Sequence, residues 1–188
     1  YQNGKHDFQF TITGAPQWHN QRYSYITIAN YIKYGGVNGG DPNRKYNADW
    51  GLLNGEEYSM RRNYYHKPVM SLNWDWNISS ASKLNTVVYA SFGRGGGTGD
   101  TGSVGGKNFS NAAWRLPDGT ANFDAIYAAN AASTPTAGVL VRRASINSHN
   151  WFGIISSFNQ KINDNLKLTA GIDGRYYYGY HPGVISDF

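Results

Sequence analysis

The chain has 188 residues, 15% of them charged and 15% aromatic, with 23 glycines, a net charge of +5 and no cysteine. That length suits one domain of ordinary size. Without cysteine there can be no disulfide, thiolate metal ligand or cysteine nucleophile, and the 17 Lys and Arg are scattered rather than gathered into a nucleic-acid-binding stripe. No run approaches the roughly 18 apolar residues of a membrane helix. A mean hydropathy of −0.57 does not exclude a membrane β-barrel, which hides its apolar surface in alternation. The opening YQNGKHDFQF has no initiator Met, basic region or apolar leader, so a mature or internal segment is expected.

Alternation with period 2, the mark of a half-buried strand, begins in residues 7–13. Phe8, Phe10 and Ile12 oppose Asp7, Gln9, Thr11 and Thr13. Residues 14–66 then read as a long irregular insertion with a short helix in residues 27–35. Residues 67–78, KPVMSLNWDWNI, set Pro68, Met70, Leu72, Trp74, Trp76 and Ile78 against Lys67, Val69, Ser71, Asn73, Asp75 and Asn77. A tight turn at residues 79–82 leads to a third strand, with Leu84, Thr86, Val88, Ala90 and Phe92 on one face. Gly93 is expected to open a second long loop, residues 93–149, whose glycines read as flexible. Short helical turns are expected in it around residues 112–114 and 125–132. Two further strands, residues 152–162 and 166–180, are joined by a turn at residues 163–165.

In these five segments every Asp, Lys and Arg falls on one face. Strands of about ten residues tilted near 45° are long enough to cross a bilayer. Bulky aromatics stand near both ends of the apolar face: Trp74 and Trp76 by a short turn, and Tyr176, Tyr178 and Tyr180 towards the other end. Short turns alternate with long loops, as in a barrel with short periplasmic turns and long extracellular loops. A soluble antiparallel β-sandwich shares the alternation. Five strands cannot close a membrane barrel, so the membrane reading makes this chain a barrel sector.

Four stretches, TITGAPQWHNQR (residues 11–22), KYNADWGLLNGEEYSMRRNYYHKP (45–68), SFGRGGGTG (91–99) and NSHNWFGIISSFNQKINDNLKLTAGIDGRYY (147–177), resemble the barrel portion of TonB-dependent outer-membrane transporters. The nearest branch is the starch-utilisation SusC type. The resemblance implies an all-β antiparallel transmembrane barrel sector of about five strands, residues 1–188, in the outer membrane of a Gram-negative bacterium. It implies a parent that imports a glycan or peptide-like nutrient. Its partners would be the parent's own plug domain, TonB, a SusD-like surface lipoprotein, and lipid or lipopolysaccharide. The N-terminal plug and TonB box do not appear in these residues. A secreted carbohydrate-binding sandwich and a barrel-type scaffold component of an outer-membrane complex are the alternatives.

Motifs that resemble catalytic ones do not fit their chemistry. GTGDTG, residues 97–102, matches a dinucleotide fingerprint, but SVGGKN after it is no helix start. The phosphate-loop pattern fails at Thr101 and Asn108. A single Asp100-Thr101-Gly102 gives one carboxylate where an aspartic protease needs two. His6, His19, His66, His149 and His181 lack paired metal-ligand spacing, and read as loop histidines bonded individually. Asp41, Asn43, Asn47 and Asp49 hint at a calcium cage, but Lys45 interrupts it and no Gly or acid follows at the required places. Enzymatic chemistry, a metal and a cofactor are therefore not expected. Trp18, Trp50, Arg61, Arg62 and Tyr64, with Tyr65, suit stacking on a sugar or peptide and pairing with carboxylates; packing of the loop on itself is the favoured reading. Asp75, Asp173 and Arg175 fall on the lumen face, where support of a plug is favoured over pore lining.

Overall fold

The computed structural model describes residues 1–22, 26–35 and 41–188. Antiparallel strands dominate it, as the alternation requires. The chain divides into two compact units, one of Tyr1–Gln17, Tyr65–Gly95 and Asn147–His181, the other of Trp18–Tyr64, Gly96–Ile146 and Pro182–Phe188.

The first unit is an antiparallel sheet of the five expected strands: His6–Thr13, Val69–Asn77, Ser82–Gly102 as far as Gly95, Ser148–Lys161 and Lys167–Tyr180, in that spatial order. Gln2–Asn3 adds a two-residue pairing at one edge. The turns are tight because their side chains close them. Ser79 Oγ accepts from the Ala81 amide at 3.1 Å, and Asn163 Oδ1 accepts from the Asn165 amide at 2.9 Å.

The register sets like residues across all five strands. One row is Phe8, Trp74, Thr86, Ser156 and Ile172; the next is Phe10, Leu72, Val88, Ile154 and Gly174; the next is Ile12, Met70, Ala90, Phe152 and Tyr176. Opposite them run rows such as Gln9, Asn73, Val87, Ile155 and Asp173. The apolar rows are not buried: Phe10 is 65% exposed and Ile172 66%. Among the described residues, the buried hydrophobic cluster lies wholly in the second unit. The first unit is thus a single layer with an uncovered apolar face.

The second unit is built from the stretches expected as irregular loops, and this is a correction. Trp50–Leu53 and Glu56–Ser59 form a hairpin. Its turn is Asn54–Gly55, with φ of +52° and +80°; two central residues with positive φ match the right-handed twist of the flanking strands. Ala121–Asn122 pairs parallel with Gly51 and Leu52. Asn122 then caps the helix Phe123–Ala131, its side chain accepting from the Ala125 amide at 3.0 Å. Phe123 and Ile126 on that helix bury against Tyr58, Met60, Phe109, Trp114 and Leu140. The helix Ile28–Lys33, capped by Thr27, and the single turn Ala112–Trp114 fall where short helices were expected. Residues 23–25 and 36–40 of the first expected loop lie outside the described residues.

The glycine-rich segment after Phe92 is also corrected. Gly93 does not open a loop: the strand continues to Gly102, and Leu140–Ile146 pairs with Gly96–Gly102. Gly183–Asp187 adds to the other side of Leu140–Ile146. The glycines serve close approach. A Cβ would collide with the His149 ring at Gly93 and with the Arg61 guanidinium at Gly99. Residues without side chains show no alternation, so the strand is silent in the sequence.

Candidate functional site

A polar pocket of about 490 Å³ lies in the second unit, between the Trp50–Ser59 hairpin and the segment around Asp118. The register Trp50↔Ser59 and Leu52↔Glu57 puts Trp50 and Glu57 diagonal on one face. The Trp50 indole N–H donates to Glu57 Oε1 at 2.8 Å, and Asn20 Nδ2 donates to the same oxygen at 3.2 Å. Arg62 Nε reaches Asn20 Oδ1 at 3.5 Å, and its guanidinium sits 4.9 Å from the Trp18 ring centroid. Trp18, Arg62, Asn20, Glu57 and Trp50 are thereby linked in one chain of contacts.

The facing wall is aromatic. The rings of Tyr34 and Tyr46 stand 4.8 Å apart, and the Tyr46 hydroxyl donates to the Gly119 carbonyl at 2.8 Å. Burial pushes the Tyr46 hydroxyl pKa up, so it stays a donor at neutral pH. Beneath it Arg115 donates to the Ala48 carbonyl, and to that of Phe109 at 2.9 Å. Its own pKa is pushed down by burial. Asp118 accepts from the Thr120 amide and hydroxyl at 2.9 and 2.6 Å. Aromatic faces beside a carboxylate and amides suit a ligand with both apolar faces and hydroxyl or amide groups.

The other basic and aromatic candidates are engaged in packing. Arg61 pairs with Asp100 at 2.7 Å and faces the fully buried Asp49 at 3.9 Å. Asp100 of the DTG stretch is therefore an ion-pair partner of an arginine. Thr98 between the glycines donates to the Met60 carbonyl at 2.8 Å and accepts from the Arg62 amide at 2.7 Å. Tyr64 lies against Gly96. Asn43 and Asn47 of the suspected calcium cage instead close turns, each accepting from the amide two residues on. Among the described residues no three of His, Cys, Asp and Glu converge as a metal site would need.

The lumen-side candidates of the first unit find partners on their own face. Asp75 accepts from Asn85 at 2.5 Å and Lys83 at 3.4 Å. Arg175 binds Asp173 through two bonds, 3.0 and 2.6 Å. On the apolar face the polar atoms satisfy one another. Thr86 and Ser156 share a 2.8 Å hydroxyl bond, and Trp74 Nε1 donates to His6 Nδ1 at 3.1 Å.

Sequence reasoning missed Asn20, Tyr34, Tyr46, Glu57 and Asp118 as pocket residues. Asn54-Gly55 was the available signal, because it fixes a two-residue hairpin and with it the Trp50–Glu57 diagonal. No family model, no curated protein and no solved structure matches the chain.

Proposed function

We propose that the chain is a sector of an outer-membrane β-barrel from a TonB-dependent transporter of the SusC-like type. The parent would import a glycan or peptide-like nutrient. One observation carries the reading: a five-stranded, single-layer antiparallel sheet whose apolar rows stand exposed. Monomeric soluble proteins rarely leave an apolar patch beyond a few hundred Å² open to water. A sandwich would bury Leu72, Val88, Ile154 and Leu168 under a second sheet, and all four are exposed.

Dimensions and composition agree with a bilayer. From the Leu84 row to the Phe92 row is about 27 Å at ~3.4 Å per residue. At a tilt of about 40° that spans about 20 Å of height, near the ~25 Å apolar band of such barrels. Trp74, Trp76 and Phe8 stack at one end, and Phe92, Tyr176 and Tyr178 stand at the other, as in interfacial girdles. Among the described residues, Lys167–Tyr180 and the part of His6–Thr13 beyond its short pairing with Gln2–Asn3 keep open edges that lipid could not satisfy. The remaining strands and a plug would come from the rest of the parent, with TonB supplying energy and a SusD-like lipoprotein as surface partner. On this reading the Trp50–Glu57 pocket is a ligand-contact site, and Asp75, Asp173 and Arg175 face the lumen.

Fractionation of the native producer tests this. The parent is expected in the outer-membrane fraction, released only by detergent; recovery in the soluble extracellular fraction would reject the proposal.

A further inference from the structure

We propose that the Arg94 end of the apolar face holds the phosphate of an anionic lipid, with an acyl chain of the same lipid in the groove below. This rests on the membrane reading above and adds a site to it. Arg94 continues the parity of Val88, Ala90 and Phe92, so it stands on the apolar face, one step past its last aromatic row. A cation there is unusual, since every Asp, Lys and Arg of the five expected segments takes the other face.

The guanidinium is fixed in place. It donates to the carbonyls of Gly93 and His149 at 2.8 and 2.9 Å, and to Asn150 Oδ1 at 2.8 Å. Those bonds use three of its five N–H donors. Arg94 is exposed, and among the described residues no carboxylate pairs with it. A planar guanidinium held by neutral acceptors is suited to a phosphate, which it meets by two parallel bonds. Asn150 lies in the row of Phe92 and Tyr178, so its amide N–H₂ adds a donor beside two rings of the interfacial type.

Directly along the strands lies an apolar groove of about 520 Å³, lined by Phe10, Leu72, Val88, Ile154, Gly174 and Tyr176 among others. Small residues make it: Gly174 and Ala90 stand among larger neighbours in consecutive rows. The Ala90 and Val88 rows are four and six residues from Arg94, about 14 and 20 Å along the strand. With a tilt near 45° they lie ~10–14 Å deeper, within the ~15 Å that half a hydrocarbon core provides. Charge at the rim and a groove at acyl depth fit one lipid molecule.

The test is native mass spectrometry of the detergent-solubilised parent, offered equimolar dioleoylphosphatidylglycerol and dioleoylphosphatidylcholine. The wild type is expected to retain the anionic phosphatidylglycerol about fivefold over the zwitterionic phosphatidylcholine, the effect of one basic residue near an anionic headgroup. Arg94→Gln should abolish the preference and Arg94→Lys restore part of it, while Lys83→Gln, on the other face and away from the groove, leaves it intact. A preference that survives Arg94→Gln, or a wild type without one, overturns the site. So does displacement of the lipid by millimolar inorganic phosphate, which would mark a site for free anions. Insertion into pure phosphatidylcholine vesicles separates the two claims: Arg94→Gln should still insert, and a wild type that fails to insert rejects the membrane reading itself.

Discussion

Ile154 and Ile155 are adjacent, chemically identical and almost equally exposed, at 40% and 43%. Only their faces differ. Ile154 stands between Val88 and Gly174 in the middle apolar row, and Ile155 between Val87 and Asp173 on the polar side. If water bathed both faces, arginine at either position would cost little. In lipid the two substitutions diverge. An arginine on the lipid face near the midplane of a barrel costs about 2–4 kcal/mol, which is roughly 30- to 700-fold in the folding equilibrium. At position 155 the new cation faces the lumen beside Asp173, and a change of less than about 1 kcal/mol is expected. Reversible denaturant unfolding of the parent into neutral phosphatidylcholine vesicles, followed by tryptophan fluorescence, measures both values. Equal costs for Ile154→Arg and Ile155→Arg would refute the reasoning.

Three further outcomes follow from local packing. Tyr89 lies across Gly153, where any Cβ would strike its ring, so Gly153→Ala should lose about 1–3 kcal/mol. Adding Tyr89→Ala should recover part of that loss, and strictly additive values in a double-mutant cycle would contradict the contact. Phe123 is fully buried, with Tyr58 at 4.6 Å and Phe109 at 6.0 Å. Phe123→Ala should cost about 3–5 kcal/mol, read as loss of amide-exchange protection in Trp50–Ser59; unchanged protection would oppose the assigned core. Burial holds the Tyr58 hydroxyl, bonded to Asp187 at 3.0 Å, well above its ordinary pKa of 10.0. The unfolded tyrosine ionises near pH 10 while the folded one stays protonated, so this stability is whole below pH 10 and declines above it. Tyr58→Phe should show a smaller loss of exchange protection between pH 9 and 11, and an identical loss would reject the assignment.

The five strands of the first unit were legible because each carries its own evidence. In residues 67–78 the alternation alone separates Leu72, Trp74 and Trp76 from Asn73, Asp75 and Asn77, and the register keeps them separate. The second unit was not legible in that way. Its strands run four or five residues around Trp50 and Tyr58, too short for a period to show. Its core joins Met60, Phe123 and Leu140, which lie far apart in the chain. The run from Gly93 to Gly102 was misread for the opposite reason to disorder: its side chains are missing so that His149 and Arg61 can lie across it. Of the pocket lining, Trp50 drew notice by residue type alone, and Asn43 and Asn47 as candidates for a calcium cage. Glu57 and Asn20 gain their roles only through hydrogen bonds that span 7 and 37 residues.

The central claim is that one face of this sheet meets lipid and the other meets water. These 188 residues hold no cysteine, so single cysteines carrying a nitroxide label are placed at each position from 167 to 180 of the parent, with any cysteine elsewhere in it replaced by serine, and the protein is reconstituted into phosphatidylcholine vesicles. Accessibility to oxygen and to a water-soluble nickel chelate should alternate with period 2. Leu168, Ala170, Ile172 and Gly174 are expected to favour oxygen, and Thr169, Gly171, Asp173 and Arg175 the chelate. Accessibility to the chelate along the whole strand, with no alternation, would contradict the account.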